Sequence, residues 1–261
     1  MDRLNGQTWQ EEQTKVLTAF ESDGYVALSG FMTGNECAQV EDRVVSFIRD
    51  NVPALPREQV YYEDINNPET LKQIQHLYTH DPYFEQLMFG SNFERLAELL
   101  LEGSVEGKNM QYFNKPPKIG KATPPHQDGF YFMLKPCEAV TMWLALDMVN
   151  EENGCVRYVR GSHSRGMRPH GRTQTLGFSQ GVIDYGTPDD LSNEVAFPAR
   201  PGDLLVHHAM TIHRADGNRS KSNTRRALGF IYYSKRAQVD EKAHAEYQRR
   251  LNEEMKTEGK I

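Results

Sequence analysis

Cysteine is scarce in this chain. Cys37, Cys137 and Cys155 are the three among 261 residues, an odd number at wide spacings with no CxxC pair. That excludes a disulfide framework or a thiolate zinc site as the organising device and fits a reducing cytoplasm. Long apolar runs are missing as well: no stretch approaches the roughly 20 residues of a membrane span. The opening MDRLNGQTWQEEQ has no apolar core of the kind a secretory leader carries. A basic excess is lacking, since 30 Lys and Arg against 36 Asp and Glu leave a net charge of −6. This speaks against nucleic acid or an anionic membrane as partner, because both select basic surfaces. There is no internal repeat and no Gly/Ser-rich linker, so the chain reads as one domain over residues 1–261. The expectation is a cytoplasmic protein with a small-molecule partner; its oligomeric state is not written in the sequence.

What is present changes character along the chain. Residues 1–104 read as mainly helical support. EEQTKVLTAFESDG carries an apolar face (Val16, Leu17, Phe20) that stops at Gly24, and YVALSG is a short strand. GNECAQVEDRVVSFIRDN spaces Cys37, Val40, Val44, Val45 and Ile48 helically, with Asn35 as N-cap. LKQIQHLYTHDPYFEQLMF and SNFERLAELLLEG give two further helices, the second with Ser91 and Glu94 as a capping box. From residue 105 to 233, short alternating segments predict strands at 109–114, 126–133, 139–147, 154–159, 195–198, 203–208 and 225–233. Many short strands between turns suggest a sandwich or jelly roll, and helices before sheet read as α+β, mainly β. Residues 161–194 are long for a structureless connection and predict a functional or partly folded loop. Residues 234–261 predict a charged surface helix.

Within PPHQDGFYF, His126 and Asp128 stand two apart. Alone this means little: nine His and fourteen Asp predict about 0.5 such triplets by chance. On a strand, however, residues i and i+2 share a face, so one imidazole and one carboxylate point the same way. The best third ligand is His213 in GDLLVHHAMTIHRADGNRS. Two histidines and one carboxylate on one side of a metal suit non-haem Fe(II), with open positions opposite. His207 and His208 are adjacent, so at most one faces inward, and an ordinary core histidine is the better reading of either. His76, His80 and His244 fall on expected helices as surface or packing residues, and His244-Ala-Glu246 does not share a helix face.

Three longer segments carry a resemblance. FNKPPKIGKATPPHQDGFYF, MWLALDMVNEENGCVRYVRGSHSRGMRPH and GDLLVHHAMTIHRADGNRSKSNTRRAL, in this order, resemble the phytanoyl-CoA dioxygenase family, and FESDGYVALSGFMTGNEC is similar to its opening. The resemblance implies a double-stranded β-helix (jelly roll, cupin-like) core with N-terminal helices packed on it. It also implies Fe(II) as metal, with 2-oxoglutarate and O2 as co-substrates. Residue by residue it places the iron ligands at His126, Asp128 and His213, and the arginine that holds the distal carboxylate of 2-oxoglutarate at Arg225. Arg226 is a rival, because Asn218 to Arg225 is one residue longer than the family pattern. Arg225 is preferred because it heads the run Arg225, Ala227, Gly229, Ile231, whose small residues leave room for a ligand held in a guanidinium fork. Trp143 falls beside the co-substrate in the family, although core packing is an equal reading. Thr141 shares its face and is expected to donate to the co-substrate. Lys72 or Gln73 falls where the family's founding member uses a lysine on 2-oxoglutarate, and Gln73 is carried as the cofactor contact. Related halogenases replace the carboxylate by a small residue; Asp128 retains it, which implies hydroxylation.

Expected substrate contacts are Gln111, Tyr112, Asn114, Phe130 and Phe132, with Arg157, Arg160, His163, Arg168 and His170 from the long loop and its approach. Their polar and cationic character predicts a small anionic or zwitterionic metabolite, amino-acid-like or an alkylphosphonate such as 2-aminoethylphosphonate. The alternatives are an acyl-CoA hydroxylase of the phytanoyl-CoA type, a non-oxidative cupin-like metalloenzyme, or a non-catalytic metal-binding protein.

Overall fold

The computed structural model describes residues 3–175 and 178–257. The elements in chain order are β1 (Leu4–Asn5), α1 (Gln13–Asp23), β2 (Tyr25–Ser29), α2 (Gly34–Asp50), β3 (Val60–Tyr62), β4 (Leu71–Ile74), α3 (Pro82–Met88) and α4 (Asn92–Leu100). These are followed by β5 (Val105–Asn114), β6 (Thr123–His126), α5 (Gly129–Phe132), β7 (Leu134–Lys135), β8 (Ala139–Ala145) and β9 (Val156–Val159). The remainder is β10 (His170–Thr175), β11 (Phe178–Val182), α6 (Pro188–Asn193), β12 (Glu194–Phe197), β13 (Leu204–His208), β14 (His213–Ala215), β15 (Arg226–Ser234), β16 (Gln238–Val239) and α7 (Glu241–Thr257). An eight-stranded sheet runs β1-β2-β13-β8-β15-β5-β4-β3, and a four-stranded sheet runs β12-β9-β14-β6. The fold is α+β.

Strand alternation divides the large sheet into two environments. One face (Val26, Leu28, Met110, Tyr112, Met142, Leu144, Val206, Leu228, Phe230) is covered by Val16 and Phe20 of α1, Val40, Val44 and Phe47 of α2, and Phe93 and Leu96 of α4. The opposite face (Tyr25, Ala27, Trp143, Ala145, Leu205, Ala227) packs against Val156, Tyr158 and Phe197 of the small sheet. At about 0.8 kcal/mol per buried methylene, the helical layer, with the larger buried cluster, is the larger apolar reservoir. The second interface is smaller and more polar, and it is there that the site forms.

Local chemistry explains the element ends. Gly24 closes α1 at φ 81°, and a Cβ there would sit 2.4 Å from His163 Nδ1, so glycine is required twice over. The N-cap of α2 is Thr33 rather than Asn35: Thr33 and Glu36 form a reciprocal capping box, which an Asn35 start would forgo. Ser91 caps α4 through Phe93 N and Glu94 N. Glu94 Oε2 accepts from Gly90 N instead of Ser91 N, so only half of that box closes.

Two expectations are corrected. Residues 71–89 are not one helix: Leu71–Ile74 is β4, paired with β3 and β5, and α3 begins only at Pro82. Leu71, Ile74 and Leu77 are all buried; their spacing of three fits a helix, but a strand followed by a single 3-10 turn buries the same set. Tertiary pairing with β5 decides between them. Residues 126–133 are not one strand either. β6 ends at His126, and Gly129–Phe132 is a helical turn closed by Met133 at φ 51°. Gly129 N donates to Ala209 O, and a Cβ on Gly129 would lie 2.4 Å from Cys137 Sγ, so close packing against β13 and its exit bends the chain away from the sheet. The long loop is partly folded, as a hairpin of β10 and β11 and the short α6.

His208, at the end of β13, lies against Phe20 and His163. Burial first, then the His163 and His207 imidazoles, pull its pKa down to about 4. The unfolded chain protonates this ring near 6.5 and the folded chain does not until about 4, so stability is complete above 6.5 and falls as pH drops through that window. The loss should reach about 2 kcal/mol by about pH 5. Thermal denaturation should therefore show a smaller acid loss in His208→Gln than in the wild type; equal losses would remove His208 from the account.

Candidate metal centre

His126 and His213 are direct register partners on β6 and β14. Each ring is fixed by its Nδ1–H, which donates to the carbonyl two residues earlier: Pro124 O at 2.8 Å for His126 and Thr211 O at 3.0 Å for His213. That hydrogen bond selects the tautomer and leaves Nε2 as the ligand nitrogen. Asp128 arrives by a different route from the expected strand face. It sits at the head of the α5 turn, which folds its carboxylate back so that Oδ1 lies 3.4 Å from His126 Nε2 and 3.7 Å from His213 Nε2. One donor atom from each of the three lies within 4.8 Å of the others. The donor set is that of a two-histidine, one-carboxylate facial site.

The electrostatics suit a cation. Burial alone would raise the Asp128 pKa, but the imidazoles of His213, His126 and His207 outweigh it and hold the carboxyl well below its ordinary range. Burial, then His126 and His207, push His213 well below the usual histidine value. The cluster therefore offers an ionised carboxylate and a neutral imidazole, the forms that bind metal.

Away from the triad, the same cavity of about 700 Å³ is lined by Thr141, Trp143, Gln111, Lys115 and Arg225. Arg225 is 4% exposed and Lys115 6% exposed. Arg225 donates from Nε to Gly154 O, and its guanidinium lies 5.2 Å from the Trp143 ring centre. Lys115 donates to Ala215 O and Asp216 O. Among the described residues no carboxylate lies within 4.0 Å of either cation. Burial lowers the Arg225 pKa to about 10, so it stays charged at neutral pH. Burial, then the neighbouring Arg225 and Lys72 charges, push the Lys115 amine well below its usual range, so Arg225 is the standing charge here, and an anion placed between the two would favour the charged form of Lys115. Arg226 points the other way, onto Asp147 and Glu41.

The other expected residues divide. Gln73, Gln111, Asn114, Phe132, Thr141 and Trp143 line the cavity. Gln73 Nε2 donates to Gln111 Oε1, and Gln73 Oε1 and Asn114 Oδ1 are buried without a hydrogen-bond partner. Thr141 donates to Asp128 Oδ2 at 2.6 Å, which places it on the triad rather than on a co-substrate. Tyr112 is a correction: it lies on the helix-covered face, 2% exposed, because it is one residue out of phase with Gln111. Phe130 stacks on His170 outside the cavity. The loop cations are also corrections, each held by acidic or backbone partners: Arg157 by Glu151, Glu194 and Asp216, Arg160 by Asp23, Arg168 by Asp184 and Asp190, and His163 by Glu21 O. The small run on β15 is real, but the space beside Gly229 is filled by the Phe113 ring, 2.7 Å from where a Cβ would be.

Several cavity residues escaped the sequence reading. Lys115 and Tyr158 carry no spacing signal. His207 read as a core histidine but lies 3.1 Å from Asp128 Oδ2. His244 and Tyr247 of α7 line the cavity mouth, although that helix read as a plain surface element. Gln127, fully buried, ties Gly166 O, Met210 O and Arg168 N together behind the site.

A buried facial triad with a cationic pocket behind it defines a non-haem iron oxygenase that uses an anionic keto acid. The family model of phytanoyl-CoA dioxygenase (PhyH) matches residues 20–227, and the chain belongs to that family. It is a 2-oxoglutarate-dependent non-haem iron dioxygenase, with Fe(II), 2-oxoglutarate and O2 as its cofactor and co-substrates. Relatives include phytanoyl-CoA dioxygenase domain-containing protein 1 of Mus musculus, 26% identical over 246 residues (78% of this chain, 84% of the relative). Phytanoyl-CoA dioxygenase 1 of Oryza sativa subsp. japonica is 25% identical over 236 residues, covering 78% and 83%. Among solved structures, the epimerase SnoN in complex with Fe3+, alpha ketoglutarate and nogalamycin RO superposes with a TM-score of 0.72 at 22% identity, over 88% of this chain and 86% of that one. EctD from S. alaskensis with 2-oxoglutarate and 5-hydroxyectoine gives 0.69 at 20%, over 84% and 75%. These two share the fold. No helix among the described residues is long and apolar enough to cross a membrane.

Proposed function

We propose that the chain is a hydroxylase of an unactivated C–H bond in a small anionic or zwitterionic metabolite, amino-acid-like or an alkylphosphonate such as 2-aminoethylphosphonate. The two sheets are read as a double-stranded β-helix, since successive strands from β5 to β15 pass repeatedly between them. The reading rests on one observation: the buried pair Arg225 and Lys115 shares a cavity with the triad. Trp143 contacts Arg225, and Thr141, two residues earlier on β8, contacts Asp128. The residues that touch the anion end and the metal end are thus two positions apart on one strand face, so both ends open into one cavity.

His126, Asp128 and His213 would hold iron, and Arg225 the far carboxylate of 2-oxoglutarate, with the Trp143 face keeping the guanidinium in place. Bound together, iron and 2-oxoglutarate supply oxidation by O2 with release of succinate and CO2. The protein positions these groups and excludes water: Tyr158, Ile231 and Phe132 wall the centre. Glu58, Glu241 and His244 line the same cavity with Tyr131 and Tyr247, beside Lys108 and Lys121, which are paired with Glu106 and Glu63. Mixed charge beside aromatic rings favours a zwitterion over bare hydrocarbon. Retention of the Asp128 carboxylate supports hydroxylation over halogenation.

The test is a screen of amino acids, aminoalkylphosphonates and acyl-CoAs with iron, ascorbate and 2-oxoglutarate under O2. A zwitterionic hit should raise succinate and gain the mass of one oxygen atom, and Glu241→Gln should raise its KM about tenfold or more. Turnover of acyl-CoA alone would replace the substrate assignment.

A further inference from the structure

The two oxygens of Asp128 are treated differently. Oδ1 faces the Nε2 atoms of His126 and His213 at 3.4 and 3.7 Å. Oδ2 accepts from Thr141 Oγ1 at 2.6 Å and lies 3.1 Å from His207 Nε2. An ionised carboxylate only accepts, so His207 donates to it from Nε2, and in the neutral ring Nδ1 is then an acceptor. Nδ1 lies 3.0 Å from the Tyr158 hydroxyl, which therefore donates to it. Tyr158 is fully buried and His207 is 3% exposed. Thr141 and His207 are register partners across β8 and β13, and Tyr158 is the register partner of His213 across β9 and β14. The clamp is thus built from both sheets, without a loop. Tyr158 is fixed in turn by stacking on Tyr25, ring centres 4.8 Å apart.

We propose that Thr141, His207 and Tyr158 are positioning residues that make Asp128 a one-oxygen metal ligand. A carboxylate free to rotate can chelate through both oxygens, which would fill one of the positions opposite a facial triad. Here two donors fill Oδ2, and turning it toward the metal breaks both hydrogen bonds at once. The clamp therefore sets the number of open positions as well as the orientation of the ligand. This rests on the metal-centre reading above.

The experiment uses the full chain loaded with Mn(II) without 2-oxoglutarate, comparing wild type, His207→Phe, His207→Gln, Thr141→Val, the His207→Phe/Thr141→Val double variant and a His126→Ala control. Mn(II) affinity is read from the free-ion EPR signal, and bound waters from electron–nuclear double resonance in 17O-water. The clamp predicts three metal-bound waters in wild type and two in the double variant. Affinity should fall about tenfold in His207→Phe and in Thr141→Val, and up to a hundredfold in the double variant. His207→Gln keeps a donor toward Oδ2 and should stay near wild type. Thermal denaturation separates these effects from misfolding, since a merely structural role would not change the water count. A folded double variant with three waters and wild-type affinity overturns the proposal. So does pulsed EPR of the Cu(II)-loaded wild type showing three bound imidazoles, because His207 would then be a ligand; that measurement decides even if a variant does not fold. If wild type binds Mn(II) no better than His126→Ala, the metal centre itself fails and takes the clamp with it.

Discussion

Arg225→Ala should weaken 2-oxoglutarate binding by about a hundredfold or more, while Arg226→Ala should leave it unchanged. The adjacent arginines face opposite sides of the sheet, so the comparison is internally controlled. Arg225 lies in the cavity with no protein carboxylate in range and a tryptophan face beside it. Losing a buried charge-assisted contact of this kind is worth about 2–5 kcal/mol of binding. Arg226 forms a two-pronged pair with Asp147 and a further contact to Glu41. Its removal should cost about 1–3 kcal/mol of stability. The melting temperature carries a second signature: 2-oxoglutarate should raise it in wild type and Arg226→Ala by mass action, and not in Arg225→Ala. Arg225→Lys should bind weakly, because a point charge replaces a planar fork. Equal loss in both variants would contradict the assignment.

Asp128→Ala should abolish tight metal binding, lowering affinity by more than about a hundredfold, with the apo protein still folded. The carboxylate is the one anion in a cluster of three imidazoles, His126, His207 and His213, whose ring centres lie 4.1 Å apart in successive pairs. Without it, a divalent cation meets only neutral nitrogens in a buried site, and the desolvation of the ion goes uncompensated. Asp128→Asn keeps the shape and removes the charge, so it should fall almost as far; isothermal titration with Mn(II) compares the three proteins. Wild-type affinity in Asp128→Asn would mean that the carboxylate does not ligate.

Much of this site was legible in the sequence, for identifiable reasons. His126, Asp128 and His213 were found as residue types at a workable spacing inside three recognisable segments. His126 and Asp128 nevertheless do not meet as neighbours on one strand face: strand periodicity requires the chain to run straight through Gly129, whereas packing against Cys137 and Ala209 turns it into α5. Arg225 is distinguishable from Arg226 by alternation, because β15 pairs with both β5 and β8 from Ala227 to Ile231 without a register shift and keeps a period of two there. Naming both Gln111 and Tyr112 as contacts sets that alternation aside, since neighbours on a strand face opposite sides. The loop arginines misled because charge is visible in a sequence and partners are not: each meets aspartate, glutamate or tyrosine brought from elsewhere in the chain. Lys115, Tyr158 and His207 were out of reach for a related reason. Each has its role only because a second strand lies beside it.

The most direct test is an anaerobic titration of the Fe(II)-loaded protein with 2-oxoglutarate, followed by visible absorption. The account predicts a weak charge-transfer band that saturates at one 2-oxoglutarate per chain and is missing in His126→Ala. In Arg225→Ala it should appear only at much higher 2-oxoglutarate. A wild-type protein that binds Fe(II) but develops no band on saturation with 2-oxoglutarate would contradict it.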